Sequence, residues 1–276
     1  MALRFNLHAA GVLAPGIGSL AELLALRSRG GASSHAALEL PSPAALPANE
    51  RRRASQAVRL TLACAEQALR DSPFAADTLR MVFASDEGTG EVCQQLLETL
   101  ATTRQVSPLL FHNSVHNAPS GYFSIGYRNR QSATSVSLGE QSFASGLLCA
   151  ASEASVTGQP VLLLAYDPAM TEPMSALLPV VQATATAWVI DANETTARSR
   201  SVLGSFDLSL HAAASDAAGE ARPALPAWLP ATWAANSSVQ SLTALAMLGD
   251  SETRTCELRL GAQMLRIARV SGGPEC

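Results

Sequence analysis

The segment from Val106 to Ala150 constrains the fold of this chain more than any other. It begins with an apolar loop, enters a helix at the tripeptide Asn117 to Pro119, and continues into a short β-rich run from Ala133 to Ser137. A sharp turn at Gly139 then leads into a helix rich in Ala, Gly and Ser, from Ser142 to Val156, whose small residues let another backbone approach closely. The segment therefore predicts a strand, a tight turn and a helix N-terminus, an arrangement in which several enzyme classes hold a nucleophile.

We call residues Gly139 to Gln141 the elbow. Its two side chains, Glu140 and Gln141, are a carboxylate and an amide, and neither is a nucleophile of the kind that this geometry favours. Ser142 follows, but the surrounding residues do not spell G-x-S-x-G, which argues against a serine hydrolase. Cys149 lies about two helical turns further on among apolar residues, so we interpret it as a buried structural thiol.

Apolar runs and helical periodicity predict alternating strands and helices on both sides of the elbow. The predicted strands are Leu3–Leu13, Leu79–Ala84, Val161–Tyr166, Ala183–Asp191 and Val202–His211, followed by a hairpin over Arg254–Val270. The predicted helices are Ser19–Arg29 with Ser19 as its cap, Glu50–Asp71 with a cap at Asn49, Val92–Thr102 and Ser237–Leu248. Stretches rich in Ser, Pro and Ala predict a loop over Gly31–Ala48 and a connector over Ala212–Pro230. This alternation indicates a layered α/β domain.

The charge composition excludes several classes of function. All nineteen basic residues are arginines and the chain contains no lysine, which rules out a lysine Schiff base and a Walker-type phosphate loop. The formal net charge is −4, so we expect no binding of nucleic acid and interpret the run from Arg51 to Arg53 as a solvated helix start.

The cysteines and histidines give no support for a metal site. The five cysteines are odd in number and show no C-x-x-C spacing, which fits a reducing cytosol. His112 and His116 are spaced i, i+4 and could bind a metal on a helix, but the neighbouring Asn and Pro residues favour a hydrogen-bonding loop. The N-terminal segment is broken by His8, Pro15 and three glycines, so it predicts neither a signal peptide nor a membrane span. We therefore expect a cytoplasmic protein without a metal or cofactor.

Short motifs in and around the elbow resemble a known family. The stretch VSP at Val106 to Pro108, N-x-x-x-G at Asn117 to Gly121 and S-x-S at Ser135 to Ser137 resembles the active-site region of β-ketoacyl-ACP synthases, thiolase-fold enzymes with a catalytic cysteine at the elbow. The motifs FHNSVHNAP at Phe111 to Pro119 and SFA-x-GLL at Ser142 to Leu148 resemble motifs of short, chain-length-factor-like proteins from aryl polyene and xanthomonadin-type pigment clusters. The resemblance covers about Ala2 to Asp191.

The resemblance implies a subunit without the catalytic thiol. Aligned without gaps, the cysteine position falls on Glu140; one inserted residue places Gln141 there, as in chain-length factors of type II polyketide systems that carry Glu-Gln at the elbow. The only histidine after the elbow is His211, and neither histidine-containing segment of the family is visible. The lysine that ketosynthases usually keep near the active site is also missing.

The implied fold is a thiolase-like layered α-β-α fold with a truncated C-terminal half. Residues 1–276 would form a single ketosynthase-like domain, with an N-terminal half over about 1–182 and a reduced C-terminal half over about 183–276. The implied function is a non-catalytic, chain-length-factor-like subunit of a heterodimeric β-ketoacyl-ACP synthase in polyene, polyketide or fatty-acid-like biosynthesis. Its partners would be a catalytic ketosynthase subunit and an acyl carrier protein.

Two alternatives remain open at this point. The first is a malonyl-ACP decarboxylase that uses Glu140 or Gln141, and the second is an acyl-binding scaffold that forms a homodimer without catalysing a reaction. In related dimers, the strand before the elbow pairs across a two-fold axis, which here implies an interface at Ala133, Thr134, Ser135, Val136 and Ser137. The end of the acyl tunnel, or gate, would comprise Leu109, Leu110, Phe111 and Ser114, with Val92 and Leu96 as further candidates.

Overall fold

A computed structural model of the protein describes residues 2–30, 38–193, 202–213, 225–250 and 252–270. The strands in these ranges are β1 (Ala2–Leu13), β2 (Arg80–Ala84), β3 (Ala133–Val136), β4 (Val161–Asp167), β5 (Thr184–Asp191), β6 (Gly204–Ala212), β7 (Thr255–Leu260) and β8 (Gln263–Arg269). The α-helices are α1 (Leu20–Arg29), α2 (Ala48–Arg53), α3 (Gln56–Asp71), α4 (Gly90–Thr102), α5 (Pro108–Asn113), α6 (Ala118–Tyr127), α7 (Ser142–Thr157) and α8 (Val239–Ala246). No helix in the described ranges is both long and apolar enough to cross a membrane.

The strands form one eight-stranded sheet with the order β3-β2-β4-β5-β1-β6-β8-β7. Strand β2 runs parallel to β3 and β4, and the other neighbours are antiparallel. The strands and the hairpin predicted from apolar runs are confirmed, with boundaries that differ by one or two residues at most ends. The carboxyl ends of the three parallel strands meet at one end of the sheet, and this arrangement places the elbow there.

Helices cover both faces of the sheet, which gives three layers. Strand β4 is buried throughout: Leu162 and Leu164 belong to a core with α3 and α6, whereas Val161 and Leu163 belong to a core with α7 and α8. Helix α3 also begins with a serine cap and has one strongly apolar face, which its contact with β1 and β5 buries. The layered α/β domain predicted from the sequence is confirmed.

Helix α7 lies at the centre of this arrangement. It contacts β1, β2, β4 and β5, and also β7, although β7 stands at the far end of the strand order. The C-terminal strands must therefore curl over α7. A Cβ atom at Gly146 would lie 2.5 Å from Cβ of Ala84 on β2, so glycine allows this close approach. The prediction that the small residues of this helix admit another backbone is confirmed.

The single helix predicted over Glu50–Asp71 is wrong. The chain forms α2 and α3 instead, because Ala54 and Ser55 between them have extended backbone dihedrals. The hydroxyl Oγ of Ser55 accepts a hydrogen bond from Val58 N at 3.4 Å and begins α3 as its cap. Asn49 is not a cap, since it lies inside α2. The cap formed by Ser55 thus separates the two helices, although the helical spacing of the apolar residues continues across it.

The loop predicted between Val106 and the helix at Asn117 is also partly wrong, because it contains α5. Pro108 occupies the first turn of this helix, where a missing N–H costs nothing and the fixed φ suits helical backbone. The predicted loop Gly31–Ala48 and connector Ala212–Pro230 lie partly outside the described residues. Strands from both sides of residue 182 share the one sheet, and the division of the chain there stays a prediction.

Candidate functional site

The elbow is the tight turn that the sequence predicts. Gly139 has a φ of +57°, a left-handed conformation that glycine adopts without the strain of a Cβ atom. Leu138 O accepts a hydrogen bond from Gln141 N at 3.1 Å, and Gly139 O accepts one from Ser142 N at 3.0 Å. Helix α7 begins directly after this turn, so the side chains of Glu140 and Gln141 stand at its N-terminus.

Ser142 is a structural residue of the elbow. Its Oγ donates to Gly139 O at 2.7 Å and accepts from Leu138 N at 2.9 Å. The side chain is fully buried and no base contacts the hydroxyl in the described structure. The hydroxyl therefore locks the turn, which agrees with the sequence argument against a serine hydrolase.

Gln141 joins the elbow to the C-terminal part of the chain. Its Oε1 accepts a hydrogen bond from the backbone N of Gly261 at 2.5 Å. Gly261 lies in the turn between β7 and β8, the hairpin that curls over α7. The amide at the elbow thus holds a distant segment in place. No local pattern in the sequence indicates this contact, because the two residues are 120 positions apart.

A buried carboxylate lies beside the elbow, and sequence reasoning missed it. Asp167 is the last residue of β4 and only 1% exposed. Its Oδ1 accepts hydrogen bonds from Ser85 Oγ and Asp86 N, each at 2.8 Å, and its Oδ2 accepts from Ser237 Oγ at 2.8 Å and Ser238 N at 2.9 Å. Burial raises the pKa of Asp167, while these four hydrogen bonds oppose that shift. A carboxylate with four donors from two loops ties those loops to β4.

This network reaches Ser137, just before the elbow, through the loop after β2. Ser137 Oγ donates to Asp86 O at 2.9 Å, and His116 Nε2 lies 3.3 Å from Ser85 O. The carboxyl ends of the three parallel strands β2, β3 and β4 are therefore joined by hydrogen bonds. One signal in the sequence could have found Asp167: an acidic residue that directly follows the continuous apolar run of β4.

The other candidate residues are spread over separate parts of the fold. His112 is exposed on α5 and packs edge-on against Tyr122, whereas His116 contacts the loop after β2. His211 lies on β6, where its Nε2 is 3.5 Å from Glu257 Oε1 on β7. Burial and the nearby Glu153 raise the pKa of Cys149, which disfavours its thiolate. Within the described ranges, no three His, Cys, Asp or Glu side chains are grouped to hold a metal ion.

The predicted gate residues lie on neighbouring helices at the surface. Helix α5 packs against α4 and leaves Phe111 66% exposed and Leu109 40% exposed. Leu110, Ser114 and Leu96 are half-buried, and only Val92 is buried in the core. A cavity of about 480 Å³ lies elsewhere, between β1, α1 and α3, and is lined by neither the elbow nor α5. The assignment of these residues to an acyl tunnel stays a prediction.

Strand β3 forms one edge of the sheet, since β2 is its only neighbour among the described strands. Ser132 O accepts a hydrogen bond from Met81 N, and Val136 O accepts one from Ser85 N. The backbone N–H and C=O groups of the even-numbered residues of β3 therefore point toward β2. Successive residues alternate, and Ala133 and Ser135 therefore direct their N–H and C=O groups outward. The interface predicted at Ala133, Thr134, Ser135, Val136 and Ser137 stays a prediction, at a strand whose outer edge is unpaired in the described structure.

Comparisons with known proteins find similarity to β-ketoacyl synthases and to complexes that contain them. The family model described as "Beta-ketoacyl synthase, N-terminal domain" matches residues 28–246. A ketosynthase (ApeO) in complex with its chain length factor (ApeC) from Xenorhabdus doucetiae matches with 22% identity and a TM-score of 0.73, covering 97% of this chain and 100% of the matched chain. AntDE:AntF, a type II polyketide acyl-carrier protein in complex with its ketosynthase, matches with 12% identity and a TM-score of 0.71, covering 98% and 100%.

A longer enzyme matches less completely. A β-ketoacyl synthase from Burkholderia phymatum STM815 has 14% identity and a TM-score of 0.61, with coverage of 90% of this chain and 70% of that chain. No curated protein matches the sequence. Together with the layered sheet, these similarities confirm the thiolase-like fold predicted from the elbow motifs.

Proposed function

Because the chain belongs to the β-ketoacyl synthase family, we propose that it is the non-catalytic, chain-length-factor-like subunit of a heterodimeric β-ketoacyl-ACP synthase. The observation that carries this proposal is the elbow. A condensing enzyme needs a thiolate there to hold the acyl chain, whereas this chain has Glu140 and Gln141, and the Gln141 side chain is bound to Gly261. The partner subunit would supply the cysteine and the histidines.

The similarity to solved ketosynthase complexes supports a role as a subunit of such a complex. The chain covers the whole of the matched chain in the ketosynthase and chain length factor complex from Xenorhabdus, but a smaller share of a β-ketoacyl synthase. The motifs at Phe111 to Pro119 and Ser142 to Leu148 favour an aryl polyene product over other polyketides. An acyl carrier protein would deliver the growing chain to the complex.

Two surface features support a protein partner. The outer edge of this strand offers unpaired backbone groups, and α4 and α5 together expose the apolar side chains Leu97, Leu100, Leu109 and Phe111. Permanent interfaces are large and apolar, burying on the order of 2,000 Å² or more. Exposed apolar side chains and an open strand edge both fit such an interface better than they fit a lone subunit.

Substitution of the elbow residues tests the non-catalytic role. We expect Gln141→Ala and Glu140→Ala to leave product formation by the reconstituted complex within a few-fold of wild type. The physical reason is that the Gln141 carbonyl accepts a hydrogen bond from Gly261 N, so its loss loosens a hairpin and removes no reacting group. The measurement is the rate of product formation with the ketosynthase partner, a carrier protein and malonyl groups.

The control for this experiment is Gln141→Glu, which keeps an oxygen acceptor for Gly261 N. A loss of roughly three orders of magnitude in Gln141→Ala or Glu140→Ala, the scale expected when an electrostatic catalytic group is removed, would favour the malonyl-ACP decarboxylase instead. Absence of any ketosynthase partner, with a stable homodimer that retains acyl chains, would favour the acyl-binding scaffold.

Truncation of Phe111 tests the gate. We expect Phe111→Ala to shift the products of the complex toward longer chains, because a bulky apolar wall is replaced by space for additional carbons. The side chain is 66% exposed in the single chain, so its removal should cost well below the roughly 2–5 kcal/mol that is typical of a buried position. The measurement is the distribution of product lengths from complex shown to be intact.

Val156→Ala is the matched control for the gate. Val156 is 85% exposed near the end of α7, and its truncation removes apolar surface at a distance from α5 along the chain. Its product lengths should match wild type. Unchanged length with lower yield in Phe111→Ala would mean that the substitution damaged the interface and that this residue does not limit the chain.

A further inference from the structure

The cavity of about 480 Å³ between β1, α1 and α3 has no part in the proposed function, since neither the elbow nor α4 or α5 lines it. Its volume falls within the range of about 300–1,000 Å³ that is typical of small-molecule sites. Leu20 and Leu203 contribute large apolar side chains to its lining. Small residues leave the space between them open, namely Ala9, Ala10, Gly18, Ala21, Ala44 and Ala63. The lining can therefore hold the apolar body of a ligand.

Hydrogen bonds fix the walls of this cavity relative to one another. Gln67 on α3 uses both ends of its amide, because its Oε1 accepts from Val12 N at 3.0 Å and its Nε2 donates to Gly18 O at 2.9 Å. Gly18 N in turn donates to Glu22 Oε2 on α1 at 2.7 Å. These bonds tie α3, the end of β1 and α1 together. The cavity is thus formed before a ligand arrives, which lowers the entropic cost of binding.

A β-bulge in β1 places His8 in the wall of the cavity. The register of β1 against β5 shifts between Leu7 and Ala9, so His8 is an extra residue in the strand. Leu7 and Ala9 consequently lie in cores on opposite faces of the sheet, whereas in a regular strand they would share one face. The His8 ring packs edge-on against Phe74, which follows α3, with ring centroids 5.0 Å apart. Bulges of this kind often redirect a side chain beside a functional site.

His8 is a buried polar side chain whose hydrogen bonds are unmade. Among the polar side chains that line the cavity in the described ranges, His8 alone is buried, at 4% exposed. Neither ring nitrogen makes a hydrogen bond in the described structure, although Nε2 lies 3.2 Å from Asp191 Oδ1. This carboxylate favours the proton on Nε2, which leaves Nδ1 of the neutral ring as an acceptor. A buried acceptor without a donor costs free energy, and a ligand that donates a hydrogen bond removes that cost.

Three charged side chains of α3 line the same cavity. Glu66 is half-buried, whereas Arg70 and Asp71 are exposed at the rim. No ion pair within the described ranges involves any of these three residues. The two rim charges are opposite in sign and screened by water, so they largely cancel. The Glu66 carboxylate is therefore the charge that a bound ligand meets.

We propose that this cavity binds a small organic amine, which pairs its ammonium group with Glu66 and donates a hydrogen bond to His8, while its apolar body lies against Leu20 and the alanines. An ammonium group has three donors and no acceptor, which matches an unpaired carboxylate and an unpaired imidazole nitrogen. An anion would be repelled by Glu66 and would meet Arg70 only at the exposed rim. The site does not depend on the proposed function.

Three probes with the same phenyl body test which charge the cavity selects: phenethylamine, phenethyl alcohol and phenylacetate. Their dissociation constants for the full chain are measured by isothermal titration calorimetry at neutral pH. The amine should bind at least about tenfold more tightly than the alcohol, because it adds a charge-assisted hydrogen bond to Glu66. Phenylacetate should bind most weakly of the three.

Glu66→Gln tests the ion pair. It should weaken phenethylamine at least about tenfold and leave phenethyl alcohol within about twofold, because the amide keeps the size of the side chain without its charge. Asp71→Asn is the matched control, since it makes the same change in net charge at the rim and should leave the affinity for the amine within about twofold. Equal weakening by both variants would show only a general attraction to the charge of the chain and would overturn the proposal.

Ala21→Phe tests whether the probes lie in the cavity. Ala21 is exposed on α1, so a phenyl ring there fills the cavity without disturbing the core and should abolish binding of both the amine and the alcohol. Ala48→Phe is the control, because Ala48 is exposed on α2 and does not line the cavity. The ring nitrogen resonances of His8 should shift when the amine binds to the wild type, and should not shift in Ala21→Phe.

Three further results would overturn the proposal. Tighter binding of phenylacetate than of the amine would assign the cavity to an anion held by Arg70. Binding of the amine that Ala21→Phe leaves unchanged would place the probe elsewhere, and the absence of binding by every probe at millimolar concentration would mean that the cavity holds no such ligand. Assembly with the ketosynthase partner should be the same in all these variants, so a failure of this site is distinguishable from a failure of the proposed function.

Discussion

A proline at Ser135 is expected to abolish assembly with the ketosynthase partner and to lower product formation by at least about 100-fold, because a permanent subunit interface is lost. Ser135 lies in β3, and its N–H points away from β2. Proline removes that donor and places its ring at the outer edge, while the hydrogen bonds between β3 and β2 keep their partners. The substitution thus blocks pairing across the edge without breaking the sheet of the subunit.

The matched control is Ser135→Ala, which removes the same hydroxyl and keeps the N–H group. Co-purification with the ketosynthase, the rate of product formation and the thermal stability of the isolated chain are measured for both variants. We expect the alanine variant to assemble and the proline variant to remain folded but unassembled. Full product formation by a folded Ser135→Pro complex would show that the partner binds elsewhere.

The elements that the sequence predicts well are those with a strong local signal. Strand β4 follows from a continuous apolar run, and burial on both faces by helices is the physical reason for that run. The elbow follows from Gly139 between a β-rich stretch and a helix of small residues, because few other residues adopt its positive φ without strain. In both places, one short window of sequence contains the signal from which the element is predicted.

The helix boundaries predicted from the sequence are wrong where two local sequence signals compete. The helical periodicity of the apolar residues continues across Ala54 and Ser55, but the serine hydroxyl caps a new helix, and the backbone between the two helices is extended. The short helix α5 was predicted as an apolar loop, although Pro108 suits the first turn of a helix. Such boundaries depend on competition between caps and periodicity, which composition alone does not decide.

The site depends on contacts that no window of sequence contains. The bond from Gly261 to Gln141 exists only because the C-terminal hairpin curls over α7. The four donors to Asp167 come from the loop after β2 and from the segment before α8, so their convergence is a product of the strand order. Sequence reasoning could identify the polar residues of the elbow but could not show that a buried carboxylate joins the surrounding loops.

Removal of this carboxylate is expected to produce the largest loss of stability. Asp167→Ala removes the acceptor of Asp86 N and leaves Ser238 N with Asn236 Oδ1 at 3.0 Å as its remaining acceptor, whereas the hydroxyls of Ser85 and Ser237 can rotate toward other groups. The unsatisfied Asp86 donor costs about 1–3 kcal/mol and each of the other three lost hydrogen bonds costs about 0.5–1.5 kcal/mol, so the free energy of unfolding should fall by roughly 2.5–7.5 kcal/mol. That loss is a large part of the stability of an ordinary domain, which is about 5–15 kcal/mol.

Asp167→Asn and Ser237→Ala each remove a smaller part of the hydrogen-bond network around Asp167. The asparagine keeps one carbonyl oxygen but turns an NH₂ group toward one of the two backbone donors, Asp86 N or Ser238 N, so it should cost about 1–3 kcal/mol. The serine variant removes a donor and leaves the carboxylate three partners, which should cost about 1 kcal/mol. Urea unfolding should therefore give the order Asp167→Ala, Asp167→Asn, Ser237→Ala, with the first most damaging. Equal and small losses in all three would mean that water replaces the protein donors, and that this carboxylate does not hold the loops beside the elbow.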